Sequence, residues 1–199
     1  TFERIIFLSS ASVYGLSEHT NSFKESDPLI GETHYAKEKI LLEQEIKNIC
    51  QNRDALFNIL RISGMYASKK SNWKKDNLID QISQSICSSQ PRTWEITDYG
   101  TQIRDFCSLE FLRLAIKKII DLNFDNNCTL NLSSTDPIQL KIALNLISKK
   151  HKYLSFELRQ KINAKIHNSL DCTDFYTKFP ELKKSKKTLE QLVDEITNA

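Results

Sequence analysis

The sequence has 199 residues, of which 40% are hydrophobic, and a formal net charge of +3. This length supplies enough apolar material for one domain of ordinary size. The charges are nearly balanced and spread along the chain, which argues against a nucleic-acid partner. We interpret the dense group of lysines at 183–187 as a solvated tail.

The five cysteines are scattered and form no Cys-x-x-Cys pair. An odd and unclustered set indicates reduced thiols, so we expect a cytoplasmic protein without a metal site or a disulfide framework. No apolar run approaches the roughly 20 residues that a membrane helix needs, so we expect no membrane association.

The first 62 residues carry the pattern of a strand, a helix and a second strand. An apolar run at 4–8 ends in Ser9 and Ser10, and a polar loop follows from about 16 to 31. Thr33 is a plausible N-cap for a helix that reaches about Gln51, and residues 56–62 form a second buried strand. This order predicts a parallel sheet with a helical crossover.

The rest of the chain alternates between helical and strand patterns. We predict a loop at 68–75, helices at 77–87, 109–122, 138–149 and 187–196, and strands at 94–97 and 129–132. No internal repeat is visible.

Three side chains in the first strand–helix unit suggest proton-transfer chemistry. Tyr35 and Lys39 are four residues apart on the predicted helix and therefore share one face. An ammonium beside a phenol favours the phenolate, which can exchange a proton with an alcohol oxygen. Ser10 ends a buried strand, where ligands bind in open α/β sheets. The Tyr-x-x-x-Lys pair alone is common by chance, and its position after Ser10 makes it specific.

The local motifs extend this pattern. A strand leads into Ser9-Ser10-Ala11-Ser12-Val13-Tyr14-Gly15, followed by Glu25 and Pro28 and then by Tyr35 and Lys39. This order resembles the extended short-chain dehydrogenases, which include nucleotide-sugar 4-epimerases, 4,6-dehydratases and 4-keto-reductases. The resemblance implies that Ser10, Tyr35 and Lys39 form the catalytic set and that NAD or NADP carries the hydride.

The resemblance continues downstream. Residues 60–66, Leu-Arg-Ile-Ser-Gly-Met-Tyr, resemble a segment that lines the nicotinamide and substrate pocket in that family. It implies cofactor contacts for Tyr35, Lys39, Ile62 and Ser63. Residues 100–106 resemble the family's Gly-x-x-x-Arg-Asp-Phe segment, so Arg104 is expected to bind the diphosphate of a nucleotide sugar. Ser10, Ser12 and Gly64 are further expected substrate contacts.

The implied fold is α/β: the late strands of a partial Rossmann-like, doubly wound parallel sheet, and a small C-terminal α+β substrate-binding lobe. We assign 1–67 and 106–132 to the dinucleotide-binding part, and 68–105 and 133–199 to the substrate lobe. Family members commonly dimerise through the Tyr-x-x-x-Lys helix. The resemblance therefore implies a homodimer that uses the 33–51 helix.

At several positions the sequence differs from the family pattern, and these differences limit the activities that we expect. The family's Gly-x-x-Gly-x-x-Gly turn, which holds the dinucleotide pyrophosphate, does not occur in the 199 residues. We therefore interpret the chain as a fragment that lacks the N-terminal βαβ half, and expect it to bind NAD(P) poorly by itself. Ala11 and Ser12 replace the Asp-Glu pair of the 4,6-dehydratases, which disfavours dehydration. Gly64 and Ser108 replace a family asparagine and histidine.

Three interpretations remain open. The first is an NAD(P)-dependent enzyme acting at sugar C4, either a 4-epimerase or a 4-keto-reductase, with Tyr35 as general acid or base. The second is a degenerate, non-catalytic relative that binds a nucleotide sugar or a protein partner. The third is an unrelated α/β binding domain in which Tyr-x-x-x-Lys occurs by chance.

Overall fold

The computed structural model describes residues 2–67, 78–122, 126–160 and 165–197. Within these residues the chain is a mixed α/β structure. The longer helices are α1 (His34–Asn52), α2 (Leu78–Ser88), α3 (Leu109–Asp121), α4 (Leu140–Lys150), α5 (Thr173–Lys178) and α6 (Leu189–Thr197). The strands are β1 (Arg4–Ser10), β2 (Leu56–Ile62), β3 (Gly64–Tyr66), β4 (Arg92–Ile96), β5 (Ile103–Arg104), β6 (Phe106–Ser108), β7 (Cys128–Leu132), β8 (Ile138–Gln139) and β9 (Leu154–Leu158).

The main sheet has three parallel strands in the order β1, β2, β7. Ser10 pairs with Ile62, and Ile62 pairs in turn with Leu132, so all three strands end at the same edge. The middle strand β2 is buried along most of its length, as expected for a parallel strand covered on both faces. The strand–helix–strand order predicted from the first 62 residues is confirmed.

Helix α1 begins where the sequence predicts. The Thr33 hydroxyl accepts a hydrogen bond from the Ala36 amide at 3.1 Å and caps the first turn. Ala36 and Cys50 are buried against the sheet, whereas several apolar side chains on the helix remain exposed. This cap places Tyr35 in the first helical turn, beside the ends of β1 and β2.

Two large apolar clusters form the core. One lies between the parallel sheet, α3 and α5, and contains Leu60, Leu130, Phe111 and Phe175. The other is enclosed by α2, α4, α6 and the parallel pair β4–β9, and contains Ile82, Leu144 and Val193. The pairs β3–β6 and β5–β8 bring residues 103–108 close to the end of the main sheet.

The structure differs from the sequence expectations in a few places. The predicted helix 138–149 begins only at Leu140, because Ile138 and Gln139 pair with β5. Strand β9 was not predicted, although its alternating Leu-Ser-Phe-Glu-Leu sequence fits a half-buried strand. The predicted loop at 68–75 and the first residue of the predicted 77–87 helix lie outside the described residues. In the described parts of the chain, no helix is long and apolar enough to cross a membrane.

Candidate functional site

A cavity of about 720 Å³ opens at the carboxyl ends of β1 and β2. This is where an open parallel sheet places its ligands. Its lining comes from the end of β1, the first turn of α1, the end of β2 and residues 104–106. The lining residues include Ser10, Ser12, Tyr35, Ile62, Ser63, Gly64, Arg104, Asp105 and Asn168.

Ser10 occupies the turn that leaves β1. It caps a short 3₁₀ helix, Ala11–Tyr14, and has an extended backbone with φ −144° and ψ 148°. Its Oγ accepts hydrogen bonds from the Ser12 amide at 3.2 Å and from the Ser12 hydroxyl at 3.0 Å. The tight turn therefore fixes the position of the Ser10 hydroxyl at the cavity wall.

Tyr35 and Lys39 lie one helical turn apart, as their spacing predicts. The Tyr35 side chain lines the cavity and is 53% exposed, so a ligand can reach its phenol. The Lys39 Nζ lies 5.7 Å from the centre of the Tyr35 ring and donates a hydrogen bond to the Leu8 carbonyl at 2.8 Å. Lys39 itself is not among the described residues that line the cavity. It stands behind Tyr35 and against β1.

The end of β2 contributes a buried hydroxyl. The Ser63 amide donates to the Leu132 carbonyl at 3.0 Å, which anchors the strand end. The Ser63 Oγ is buried and has no hydrogen-bond partner among the described residues. An orphaned buried hydroxyl at a cavity wall is a group that a bound molecule or water can satisfy.

Gly64 follows Ser63 directly in the chain and also lines the cavity. A Cβ at this position would meet the Phe106 ring at 3.4 Å, an ordinary van der Waals distance. Glycine is therefore not required here for steric reasons.

Arg104 reaches the cavity from β5, but its guanidinium is also tied to the backbone. Nη1 donates to the carbonyls of Ile103 and Ile166. Burial lowers the pKa of the guanidinium from its ordinary value. These bonds fix the orientation of the guanidinium at the cavity.

The sequence analysis did not identify Asp105, the next residue along the chain. Its side chain is only 2% exposed, and burial raises its pKa to about 7. One carboxyl oxygen accepts from the Leu170 amide at 3.1 Å, and the other has no hydrogen-bond partner among the described residues. Such a site favours the protonated form of the carboxyl.

A buried polar network behind the cavity was also missed. Arg61 on β2 forms a two-pronged ion pair with Glu43 on α1, with a shortest distance of 2.8 Å. Glu43 also accepts from the Ser9 hydroxyl at 2.6 Å, and Arg61 donates to the Tyr14 hydroxyl at 2.8 Å. Tyr14 in turn donates to Asn131 at 2.7 Å.

The signals for this network were present in the sequence. Arg61 interrupts an apolar strand, and Glu43 continues the face of α1 that carries Tyr35 and Lys39. Burial raises the pKa of Tyr14 to about 12, so its phenol stays neutral. The network joins the ends of all three parallel strands to α1.

The fold and the site together define a class of protein. It is an α/β protein with an open cavity at the ends of its parallel strands, lined by a serine from β1 and a tyrosine from α1, with a lysine behind the tyrosine. Residues 1–121 match the sequence model of the NAD dependent epimerase/dehydratase family. The chain belongs to this family.

Solved structures support the same fold. The chain superimposes with a TM-score of 0.81 on UDP-glucose-4-epimerase from Stenotrophomonas maltophila, whose structure holds NAD and formylated UDP-arabinopyranose; the two are 18% identical, and 98% of this chain and 62% of that one are covered. The UDP-N-acetylglucosamine 4-epimerase from Methanobrevibacter ruminantium M1, in complex with UDP-N-acetylmuramic acid, gives a TM-score of 0.75 and 20% identity, again over 98% and 62% of the two chains.

A third structure, RMD from Pseudomonas aeruginosa with NADPH, gives a TM-score of 0.75 at 15% identity over 98% of this chain and 65% of that one. No curated protein sequence is significantly similar to the chain. The chain thus spans about 62% of the length of the first two structures. These similarities confirm the predicted α/β fold with the late part of a Rossmann-like sheet.

Proposed function

We propose that the chain carries the proton-transferring and sugar-binding part of an NAD(P)-dependent nucleotide-sugar enzyme that acts at sugar C4. The observation that carries this proposal is that Ser10 and Tyr35 both line one open cavity at the carboxyl ends of two parallel strands. The family match and the nucleotide-sugar ligands of the similar structures support it.

The chain offers one side of a nicotinamide site. The unsatisfied Ser63 hydroxyl, the Ile62 side chain and the Tyr35 phenol line the cavity together, and Lys39 lies behind Tyr35. This set of groups fits the reactive end of a dinucleotide. When bound, NAD or NADP would supply the hydride acceptor or donor. We assign Tyr35, Lys39, Ile62 and Ser63 to holding that end.

Tyr35 is the proposed general acid or base. Its exposed phenol can take a proton from a sugar alcohol or return it to a ketone. The Lys39 ammonium, which donates to the Leu8 carbonyl, places a positive charge 5.7 Å from the centre of the Tyr35 ring. Ser10 hydrogen-bonds the same sugar oxygen. The division of roles therefore places proton movement on Tyr35 and oxygen positioning on Ser10.

The sugar nucleotide is proposed to extend from this oxygen across the cavity. Ser12 and Gly64 border the space for the sugar, and Arg104 in the same lining carries the charge for a diphosphate. We propose that 1–67 and 106–132 form the dinucleotide side of the molecule, and that 68–105 and 133–199 form the sugar side. The presence of both Ser63, from the dinucleotide side, and Arg104, from the sugar side, in the lining of one cavity supports this division.

Two properties of the whole protein are part of the proposal. The five cysteines are free, as reduced thiols in a cytoplasmic protein would be. The outer face of α1 exposes Leu41, Leu42 and Ile49, which supports a homodimer through this helix.

The test is turnover followed by absorbance at 340 nm, with UDP- and dTDP-hexoses and their 4-keto forms. A reductase consumes NAD(P)H with each turnover, whereas an epimerase shows no net change and converts one C4 epimer into the other. Tyr35→Phe should lower kcat/KM by about 10²- to 10⁴-fold, the usual contribution of a general acid or base.

Tyr99→Phe is the matched control, because Tyr99 is similarly exposed at 49% but lies outside the cavity lining. It should retain full activity. A wild-type protein that binds a nucleotide sugar and NAD(P) together but turns none over would overturn the enzymatic proposal. It would support instead a non-catalytic relative, the alternative that the backbone-bound guanidinium of Arg104 favours.

A further inference from the structure

The hydroxyls of Ser10 and Ser12 form a pair at the wall of the cavity. Both side chains are half-buried, and both line the space proposed for the sugar. The Ser12 Oγ donates to the Ser10 Oγ at 3.0 Å, and the Ser12 amide donates to the same oxygen at 3.2 Å. Two donors from one residue therefore converge on a single oxygen.

This arrangement uses up the acceptor capacity of Ser10. A serine hydroxyl has two lone pairs and one proton. Both lone pairs of Ser10 are engaged by Ser12, so only its proton remains for a ligand. The Ser12 hydroxyl donates its hydrogen bond to Ser10. Its lone pairs remain available, so it can still accept a hydrogen bond from a neighbouring sugar hydroxyl.

The backbone holds Ser10 in the conformation in which its Oγ accepts both hydrogen bonds from Ser12. Ser10 is the N-cap of the 3₁₀ helix Ala11–Tyr14, and its extended conformation holds Oγ over the Ser12 amide. The next turn is closed by the Gly15 amide, which donates to the Ser12 carbonyl at 3.0 Å. Rotation of the Ser10 side chain away from Ser12 would break both hydrogen bonds.

We propose that Ser12 is a positioning residue that makes Ser10 a donor-only group, selective for an acceptor oxygen at C4 of the nucleotide sugar. This inference rests on the proposed function and specifies the ligand form that the site prefers. A ketone oxygen can only accept, so it matches Ser10. An alcohol oxygen also accepts from Ser10 and must then direct its own proton to Tyr35.

The Ser10–Ser12 pair therefore determines which group exchanges a proton with the sugar oxygen and which group only donates a hydrogen bond to it. Ser10 cannot take the proton of the alcohol, because its lone pairs are filled. The proton passes between the sugar oxygen and the Tyr35 phenol in both directions, and the Ser10 proton stays on Ser10. Hydrogen bonds in such a chain also polarise one another, which strengthens the donor at the sugar.

The test compares two ligands that differ at C4. UDP-4-keto-6-deoxyglucose offers an acceptor there, whereas UDP-4-amino-4,6-dideoxyglucose offers an ammonium, which is a donor only. Calorimetry gives the dissociation constants of both for the wild-type chain, Ser12→Ala and the hydroxyl-retaining Ser12→Thr. The ratio of the two constants within each protein removes effects common to both ligands.

The wild-type chain should favour the keto sugar. Ser12→Ala frees one lone pair of Ser10, so the preference should fall by about 5- to 10-fold, the contribution of roughly one hydrogen bond. Ser12→Thr should keep the wild-type preference. In a Ser10→Ala background, adding Ser12→Ala should leave the ratio unchanged, because Ser12 acts through Ser10.

Each other outcome overturns the inference. An equal ratio in the wild-type chain and Ser12→Ala, with both ligands still bound, would remove the role of Ser12 and leave the proposed function intact. A further change on adding Ser12→Ala to Ser10→Ala would show that Ser12 acts on the ligand directly. A wild-type chain that binds neither ligand would overturn this inference and the proposed function together.

Discussion

At the scale of single residues, Asp105 combines a position at the cavity with nearly complete burial. Its pKa of about 7 in the folded chain lies well above the 3.8 of an ordinary aspartate, because burial penalises the charged form. Between these two values the folded state holds a proton that the unfolded state releases. The free energy of unfolding therefore falls as the pH rises through this range.

We predict that Asp105→Asn removes this dependence. From pH 5 to pH 8, the wild-type chain should lose on the order of 2 kcal/mol more of its unfolding free energy than the variant does. Urea unfolding at the two pH values, at constant ionic strength, measures the difference. Asp121→Asn, at the exposed end of α3, should behave like the wild-type chain. Equal losses in the wild-type chain and Asp105→Asn would contradict the prediction.

At the scale of elements, the orientation of α1 depends on one buried ion pair. The side chains of Arg61 and Glu43 are 4% and 2% exposed, and their network also holds Ser9 and Tyr14. The pair connects α1, the helix that carries Tyr35, with β2, and the bond from the Ser9 hydroxyl to Glu43 connects α1 with the end of β1 that carries Ser10. Removal of either partner leaves a buried charge without compensation, which is costly.

Arg61→Met should therefore lower the free energy of unfolding by about 3–5 kcal/mol. Glu43→Met should cost a similar amount alone and much less when it is added to Arg61→Met, because the two side chains are coupled. Urea unfolding of the four proteins completes this double-mutant cycle. Additive losses would show that the two side chains act independently.

The exposed pair Glu110–Arg113 on α3 is the matched control, with side chains 61% and 60% exposed. The same cycle there should give a coupling of less than about 1 kcal/mol, because water screens surface charges. A coupling energy as large as that of the buried pair would mean that burial does not cause the strong coupling between Arg61 and Glu43.

At the scale of the whole molecule, the exposed apolar side chains of α1 are the basis of the proposed dimer. Leu41 is 61% exposed, and Leu42 and Ile49 are 46% and 39% exposed. Leu42 and Ile49 are seven residues apart and so lie on one helical face. A second copy of the helix would cover them in a two-fold contact in which the same surface is used twice.

Leu42→Glu should shift the dimer to the monomer in sedimentation velocity, because a buried carboxylate would face its symmetry mate. The control is Ile120→Glu on α3, where the replaced side chain is 57% exposed. It should leave the dimer intact. A wild-type chain that sediments as a monomer at high concentration would contradict the proposed dimer.

Local patterns in the sequence determined much of the main sheet. The apolar runs that end at Ser10 and Ile62, and the cap at Thr33, gave β1, β2 and the start of α1 to within about two residues, because each depends on neighbours in the chain. The motifs around Ser10 and Tyr35 predicted the family. The roles of Ser10, Tyr35, Lys39 and Arg104 remain predictions.

Only the tertiary structure decided which groups face one another. The Arg61–Glu43 pair, the buried Asp105 and the orphaned Ser63 hydroxyl depend on contacts between distant segments, and periodicity carries no information about such contacts. Strands β5 and β8 are each too short to leave a pattern and exist because they pair. The sequence thus predicted chemistry at the end of β1 and the start of α1, a prediction that remains to be tested. Long-range packing set the charge, burial and hydrogen bonding around it.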